Sequence, residues 1–416
     1  MSKVQDFSWS VVFAWVILMT FGLVAIYSAT LGPVSQYLPG YIQDNFYKQG
    51  IFIVISIGVL IAFQFVSPRT FLDLSYLLYG IGILLMIITL LFGAEINGAR
   101  SWLRFGPFNL QTSELMKIAT ILAAGNYLTS RRNITAENIR YATVAVIIIL
   151  IPASLVLLQN DLGTTLIFLT LIPVMLFWSG LPYGVSIFMI SPAIIAYLGL
   201  INVYYGVVAA IILTAVIFFI QKRVWLTVTS FITGIITIAG VQVALTQILK
   251  PHQIARISAF TNPSFDPTGA GWNVIQAKTA IGSGGLTGKG FMEGTQTQLK
   301  FLPEQWTDFI FCVIGEEFGF IGASILVLTF LFLFFRLLNI AGSHKHPFAQ
   351  LVTVSITSVF FVHFFINVGS ASALLPVIGL PLPFVSYGGS AFLTNTIMLA
   401  ICLNMDFYKR EFSIYR

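Results

Sequence analysis

Apolar runs of about 20 residues, the length needed to cross a bilayer, recur along this chain near 10–30, 48–66, 74–92, 113–129, 141–158, 162–180, 184–201, 204–220, 225–247, 309–335, 350–368 and 388–405. Short polar links join most of them. The pattern fails only over 248–308, which opens LKPHQIARISAF, passes through a glycine-rich middle and returns to the membrane as FLPEQWTDFIFCVIGEEFGF. The runs predict an all-α polytopic membrane protein: one domain over 1–416, a bundle of about 10–12 transmembrane helices and one large extracytoplasmic loop, 248–308. The first run follows MSKVQDFSW with no small-residue cleavage site, so it is read as a span and not as a removed signal peptide.

Composition agrees with this reading. Hydrophobic residues make up 57 % and charged residues 9 %, against roughly a quarter charged in soluble domains. Cys312 and Cys402 lie in apolar stretches and imply no disulfide framework. The basic excess follows membrane orientation, and no stretch pairs a basic stripe with a nucleic-acid-binding signature. An even number of spans puts both termini on one side. That side carries Lys3, Arg69, Arg131, Arg132, Arg140, Lys222, Arg223, Arg336, Lys345, Lys409, Arg410 and Arg416; short loops opposite carry only Lys48, Arg100 and Arg104. The positive-inside rule makes the termini cytoplasmic and the long loop outward-facing, in the cytoplasmic (inner) membrane. Outside that membrane there is no ATP, so any reaction there needs a substrate carrying its own activation.

Ionisable groups in spans default to function, and few are present. Glu114 and Lys117 stand three apart in QTSELMK, on one helix face, where Thr112 or Ser113 can cap the helix; the pair either locks packing or offers Lys117 to a phosphate. Arg100, Trp102 and Arg104 alternate in NGARSWLRFGPFNLQ as a strand or re-entrant element. They suit an interfacial anchor or, through charge-assisted bonds, phosphate headgroups. Asp161 in LLQNDLGTT fits a helix cap. Eight glycines lie between Gly269 and Gly294, but the phosphate-loop pattern fails, since Ser283 stands where glycine is needed and Gly290 where Ser or Thr is. These glycines suit close approach of backbone to a ligand or another helix. Gln276 and Lys278 belong to an amphipathic segment, WNVIQAKTAIG. Beyond Pro303, Thr307 is placed to cap a new helix with Asp308 in its first turn, where the dipole favours a carboxylate. Cys312, Gly315 and Gly319 follow on the Asp308 face as a small-residue groove, with Glu316 and Glu317 roughly 12 Å deeper. Pro376, Pro381 and Pro383 forbid a regular helix in LPVIGLPLPFVSYGGSAF, so Ser386, Tyr387 and Gly388-Gly389 are expected to line a cavity. His363 and Asn367 are expected to be packing groups.

The string GSGGLTGKGFMEGTQTQLKFLPEQWTDFIF with GEEFG resembles the SEDS family of cell-wall proteins. NGARSWL, QTSELMK, LLQNDLGT, FTNPSFDPTGAGWNVIQAKTAIGSGG and PLPFVSYGGS follow in the family's order, from about 95 to 400, and GTQTQLKFLPE is worded like the elongation branch. The resemblance implies a peptidoglycan glycosyltransferase that polymerises lipid II into β-1,4-linked strands, with Asp308 as its essential aspartate and Glu114 and Lys117 as polar positions of the fourth span. It implies partners too: a class B penicillin-binding protein as transpeptidase and other elongation-complex membrane proteins. There are departures. Trp306 replaces the family's usual His, Thr112 and Asn160 replace prolines, and the family has about ten spans, which leaves a surplus hairpin within 184–247.

The two readings meet in one mechanism. Asp308 deprotonates an acceptor hydroxyl, and polyprenyl pyrophosphate leaves without a general acid. Arg100, Arg104, Lys117, Lys278 or a divalent cation (Mg or Mn) hold the pyrophosphate, although no metal-ligand cluster is evident. Trp102, Glu114, Gln276, Gln298, Thr307 and Ser386 complete the candidate substrate site. A lipid II flippase is the alternative, and a recruiting scaffold the third class.

Overall fold

The computed structural model describes residues 7–33, 39–96, 98–105, 108–130, 139–249, 251–262 and 270–412. Lys3, Arg131, Arg132, Lys250, Arg416 and the loop stretch 263–269 lie outside them.

All the expected runs are helical: α1 Trp9–Leu31, α2 Gly40–Phe63, a short α3 Pro68–Asp73, α4 Ser75–Phe92, α5 Thr112–Thr129, α6 Ile139–Leu158, α7 Leu162–Trp178, α8 Tyr183–Ile201, α9 Val203–Gln221 and α10 Val224–Val243. After the loop come α14 Ile310–Glu317, α15 Gly319–Ser343, α16 Pro347–Ala371, α17 Gly389–Phe407 and the short α18 Lys409–Phe412. Among the described residues, ten helices are long and apolar enough to cross a membrane. α5 and α7 complete the set of twelve. α5 is the most polar because it is the inner column: thirteen of its residues, Glu114 and Lys117 included, are buried. Small residues permit that packing, as at Gly125, where an added Cβ would stand 3.3 Å from Val352.

α8, α9 and α10 form a layer with a small core of its own around Ile195, Ala209 and Ala210. Asn202 caps α9 by accepting from the Tyr204 N–H at 2.9 Å, so the closely spaced pair is two full helices.

The described residues of the stretches expected to face outward include regular elements. Three strands form an antiparallel meander, β1 Ala94–Ile96, β2 Ala99–Phe105 and β3 Phe108–Gln111, with Trp102 opposite Gln111 and Arg104 opposite Asn109. The strand alternative for Arg100, Trp102 and Arg104 therefore holds, and the sheet is the exception to an otherwise all-α architecture. The long loop contains α11 Pro251–Thr261, α12 Ala270–Ser283 and a single turn, α13 Thr295–Gln298.

The span expected as one helix over 309–335 is broken between α14 and α15 at Gly319, whose φ is +64°. The glycine-rich loop enters the break. The Lys289 and Gly290 N–H groups donate to the carbonyls of Glu316 and Glu317, and those of Phe320 and Ile321 donate to the carbonyls of Gly285 and Leu286. Unpaired groups at both helix ends are thus satisfied by one loop.

Candidate active site

A cavity of about 200 Å³ lies outside the membrane helices, between α11, α12, the turn before α14 and the irregular segment after α16. Asp308, Glu304, Arg256 and Asn273 give it polar walls; Val274, Phe309 and Val377 give it apolar ones.

The local structure around Asp308 differs from the expectation. α14 begins at Ile310, its N-cap is Phe309, and no side chain caps it. Residues 304–308 form a turn in which the N–H groups of Thr307 and Asp308 both donate to the Glu304 carbonyl at 3.1 Å, and the Thr307 hydroxyl donates to it as well at 3.1 Å. Thr307 therefore closes the turn instead of capping the helix, and Asp308 precedes the first helical turn. The groove idea is also corrected. Gly315 and Gly319 line a separate apolar groove, Cys312 is fully buried, and Asp308 belongs to the other cavity.

What holds Asp308 in place comes from elsewhere in the chain. Asn367 of α16 donates to the Asp308 carbonyl at 3.1 Å and to the Leu380 carbonyl at 2.9 Å. The Ser386 hydroxyl donates to the Thr307 carbonyl at 2.6 Å and accepts from the Leu382 N–H at 2.8 Å. The Tyr387 N–H donates to the Trp306 carbonyl at 2.9 Å. Ser386 thus fastens the turn and does not line the cavity; nor does Gly389, where an added Cβ would meet the Phe52 ring at 2.0 Å. Gly379, at φ +82°, brings its backbone close to the carboxylate, with a built Cβ 3.4 Å from Asp308 Oδ2.

Glu114 and Lys117 pair at 2.8 Å as the spacing required, with Lys117 fully buried. Lys117 also donates to His363 Nε2 at 3.1 Å. Lysine cannot accept, so the imidazole proton stands on Nδ1, which donates to the Pro381 carbonyl at 3.2 Å. His363 and Asn367 are therefore ties between the inner column and the segment that braces Asp308.

The Asp308 carboxyl is pushed up to about 6. Burial is the main cause and the Glu304 charge adds to it, while Arg256 and the Thr307 hydroxyl act the other way. Burial raises Glu304 too. A carboxylate with a lifted pKa, facing a guanidinium, can accept a proton near neutral pH while the cation holds nearby negative charge.

The remaining candidates lie apart from this cavity. Arg104 is exposed on the sheet, and Arg100 makes a 3.6 Å pair with Glu95, both half-exposed. Gln276 is buried and Lys278 exposed on α12, the helix that supplies Asn273 and Val274 to the cavity. Gln298 is used structurally, donating to Ser28 Oγ at 2.8 Å and Glu317 Oε1 at 3.0 Å. Asp161 is a helix cap that accepts from the Thr164 N–H at 2.9 Å. Lys289, the lysine of the GKG run, pairs with Glu316 at 2.7 Å. Sequence reasoning passed over Arg256 and Glu304. Arg256 carries no local signal beyond a single charge in the long loop. Glu304 stands four residues before Asp308, a spacing that could have linked the two.

Three comparisons bear on this geometry. A family model described as cell cycle protein, for FtsW, RodA and SpoVE, matches residues 8–209 and 202–411. The peptidoglycan glycosyltransferase RodA of Treponema pallidum (strain Nichols) is 30 % identical over 97 % of this chain and 98 % of its own length. The peptidoglycan glycosyltransferase MrdB of Escherichia coli (strain K12) is 32 % identical over 87 % of this chain and 85 % of its own. Among solved structures, a chain from work on the structural coordination of polymerization and crosslinking by a peptidoglycan synthase complex superposes with a TM-score of 0.71, at 25 % identity, over 96 % of this chain and 97 % of that one.

Proposed function

We propose a function from one premise: the chain belongs to the FtsW/RodA/SpoVE family of cell cycle proteins. It is a multi-pass membrane glycosyltransferase that polymerises lipid II into peptidoglycan strands, in the elongation role of the RodA and MrdB relatives. The observation that carries the site is Asp308, a partly exposed carboxylate with a lifted pKa, facing Arg256 in a cavity just outside the bundle. Asp308 takes the proton of the acceptor's GlcNAc 4-hydroxyl. That oxygen attacks the donor's MurNAc C1 with inversion, the β-1,4 bond forms, and the bond from C1 to polyprenyl pyrophosphate breaks. The leaving group departs as a stable anion, so one base suffices, in contrast to the two carboxylates of a glycosidase.

The cavity is smaller than the roughly 300–1,000 Å³ of a pocket that encloses a whole ligand. It takes the reacting edge of a sugar, and the rest of the substrate lies across its mouth. Arg256 receives developing charge on the pyrophosphate; Arg100, Arg104, Lys278 and the Trp102 ring are the further candidates for the headgroup. Gln276 is a buried residue of the cavity helix. Glu114 and Lys117 act through His363, Thr307 and Ser386 hold the turn that carries Asp308, and Gln298 ties Ser28 to Glu317. Glu304 would be the residue to hold a divalent cation, Mg or Mn, since a hard cation bound together with phosphate oxygens needs few protein ligands, and no cluster of three or more His, Cys, Asp or Glu occurs among the described residues. When bound the cation would supply further charge neutralisation.

The positive-inside distribution supports a cytoplasmic-membrane location with both termini inside and 248–308 outside. The likeness to a chain of a peptidoglycan synthase complex supports a class B penicillin-binding protein as partner, alongside other elongation-complex membrane proteins. A flippase draws less support, because Glu316 and Glu317, the acids it would use, accept hydrogen bonds from Lys289 and Gln298.

The test is lipid II polymerisation by purified protein, wild type beside Asp308→Ala, with and without the transpeptidase and with and without a chelator. Glycan from the wild type alone supports the assignment. Activity retained in Asp308→Ala would sink it. No glycan with the partner bound would redirect attention to transport.

A further inference from the structure

We infer that Tyr197 is a positioning residue for the reaction: from the α8–α10 layer it fastens together two elements that wall the Asp308 cavity, an inference that rests on Asp308 being the base. Tyr197 lies near the end of α8. Its hydroxyl donates to the Leu374 carbonyl at 2.7 Å. Its ring lies against Phe260 of α11, with centroids 6.2 Å apart and planes at 35°. Phe260 stands about one turn beyond Arg256, and Ala259 beside it lines the cavity. Leu374 opens the irregular segment that brings Val377 to the same cavity and Gly379 to the Asp308 carboxylate. One side chain thus touches both the helix that carries the cation and the segment that closes on the base.

Both elements need such a tie. The irregular segment has no helix of its own to stiffen it. From Leu380 onward Asn367, His363 and Ser386 hold it. Nearer its start, Ala373 has a φ of +56°, a left-handed conformation that persists in alanine only where the surroundings impose it. The Tyr197 bond falls on the next residue. Extended backbone at Leu249 separates α11 from the helix before it, so α11 is not carried rigidly by α10. It packs against α12 and α8 instead.

The layer that supplies the tie is a packing unit in its own right, since its core around Ile195, Ala209 and Ala210 is separate from the main one. Tyrosines at the end of a span often serve as interfacial anchors, with the hydroxyl at headgroup level. Here the hydroxyl is spent on a backbone carbonyl of the cavity segment. A phenol joins an apolar ring contact to a polar one, and Tyr197 uses the two ends on different elements.

The experiment takes the contacts apart. Tyr197→Leu removes both, Tyr197→Phe only the hydrogen bond, and Phe260→Leu only the ring contact. Leu213→Ala, against the core of the same layer, is the control. Tyr197→Leu should lower kcat for lipid II polymerisation about ten- to hundredfold, the loss that an ångström of misplacement brings, with KM near the wild-type value. The single-contact variants should fall between. The groups that act on the Asp308 carboxyl are Glu304, Arg256 and Thr307. Phe260→Leu loosens Arg256 alone, so the acid limb of its pH–rate profile should move higher, as in Arg256→Gln. Adding Phe260→Leu to Arg256→Gln should move it no further. Leu213→Ala should lower the melting temperature and leave kcat and the limb unchanged. Spin labels at Thr261→Cys and Leu374→Cys should give a narrow distance distribution that broadens in Tyr197→Leu and not in Leu213→Ala; the native cysteines are buried. Unchanged kcat or an unbroadened distribution in Tyr197→Leu would overturn the inference. So would a Leu213→Ala variant that reproduces the loss, because any loosening of the layer would then act alike. Should Tyr197→Leu fail to fold, Tyr197→Phe and Phe260→Leu carry the same comparison. If the wild type makes no glycan, the transferase reading fails while the distances still decide the tie.

Discussion

Asp308 and Glu316 lie two helical turns apart and meet opposite fates. Glu316 is fully buried and saturated: it accepts from Lys289 Nζ at 2.7 Å, the Gln296 and Thr297 N–H groups at 2.9 Å, and the Thr297 hydroxyl at 2.8 Å. Glu317 beside it accepts from Ser28 and from Gln298 at 3.0 Å. Asp308 is held by its backbone, and its carboxylate is left to a cavity. The difference teaches how to read acids in a membrane protein. One whose lone pairs are filled by the chain organises structure, and one whose surroundings are fixed while its oxygens stay open is available for chemistry.

Substitution should separate the two most sharply. Asp308→Asn is expected to cost roughly 10²–10⁴-fold in polymerisation, the usual range for a general base, with no fall in melting temperature. Glu316→Ala should do the reverse. It leaves the Lys289 ammonium and several donors without their partner at a buried site, and thermal unfolding should show a loss of about 3–5 kcal/mol. Stability loss in Asp308→Asn equal to that of Glu316→Ala would erase the distinction.

Acidity sharpens the comparison further. Asp308 must be ionised to accept a proton, and its carboxyl titrates near pH 6, so activity should fall as pH drops through about 6. Because the folded value is raised above the ordinary carboxylate range, ionisation opposes folding here: the group favours the folded state in acid, and that contribution is lost as pH rises through about 6. Glu304→Gln removes a raising influence and should move the acid limb of the pH–rate profile lower. Arg256→Gln removes a lowering one and should move it higher. Identical profiles for the two would detach them from the base.

The smallest effect is expected at the surface. The Arg100–Glu95 pair is half-exposed at 3.6 Å, so Arg100→Ala should change stability by less than about 1 kcal/mol. A clear rise in KM without loss of stability would instead show Arg100 touching substrate.

The twelve helices were readable because hydrocarbon imposes one rule: a spanning segment must be long, apolar and internally hydrogen-bonded. The Glu114–Lys117 pair and the Asp161 cap were readable because both depend on spacing within one helix. The start of α14 was misread, because Thr307 and Asp308 look like a cap in isolation, whereas Asn367, Ser386 and Tyr387 hold that stretch as a turn from distant parts of the chain. The glycine-rich run showed that something must come close; only the fold identified it as the broken helix at Gly319.

By itself, then, the sequence determined the membrane character, the approximate positions of the helices and the family, and it singled out Asp308 as the candidate base. Each follows from local composition, short-range spacing or a contiguous motif. Only the tertiary structure decided that Arg256 and Glu304 line one cavity with Asp308, that Glu316 and Glu317 are spent on a clasp, and that a separate apolar groove lies along the next helix. Those outcomes depend on contacts between residues far apart in the chain, and the energy of such a contact depends on where packing brings the two ends, which no local pattern encodes.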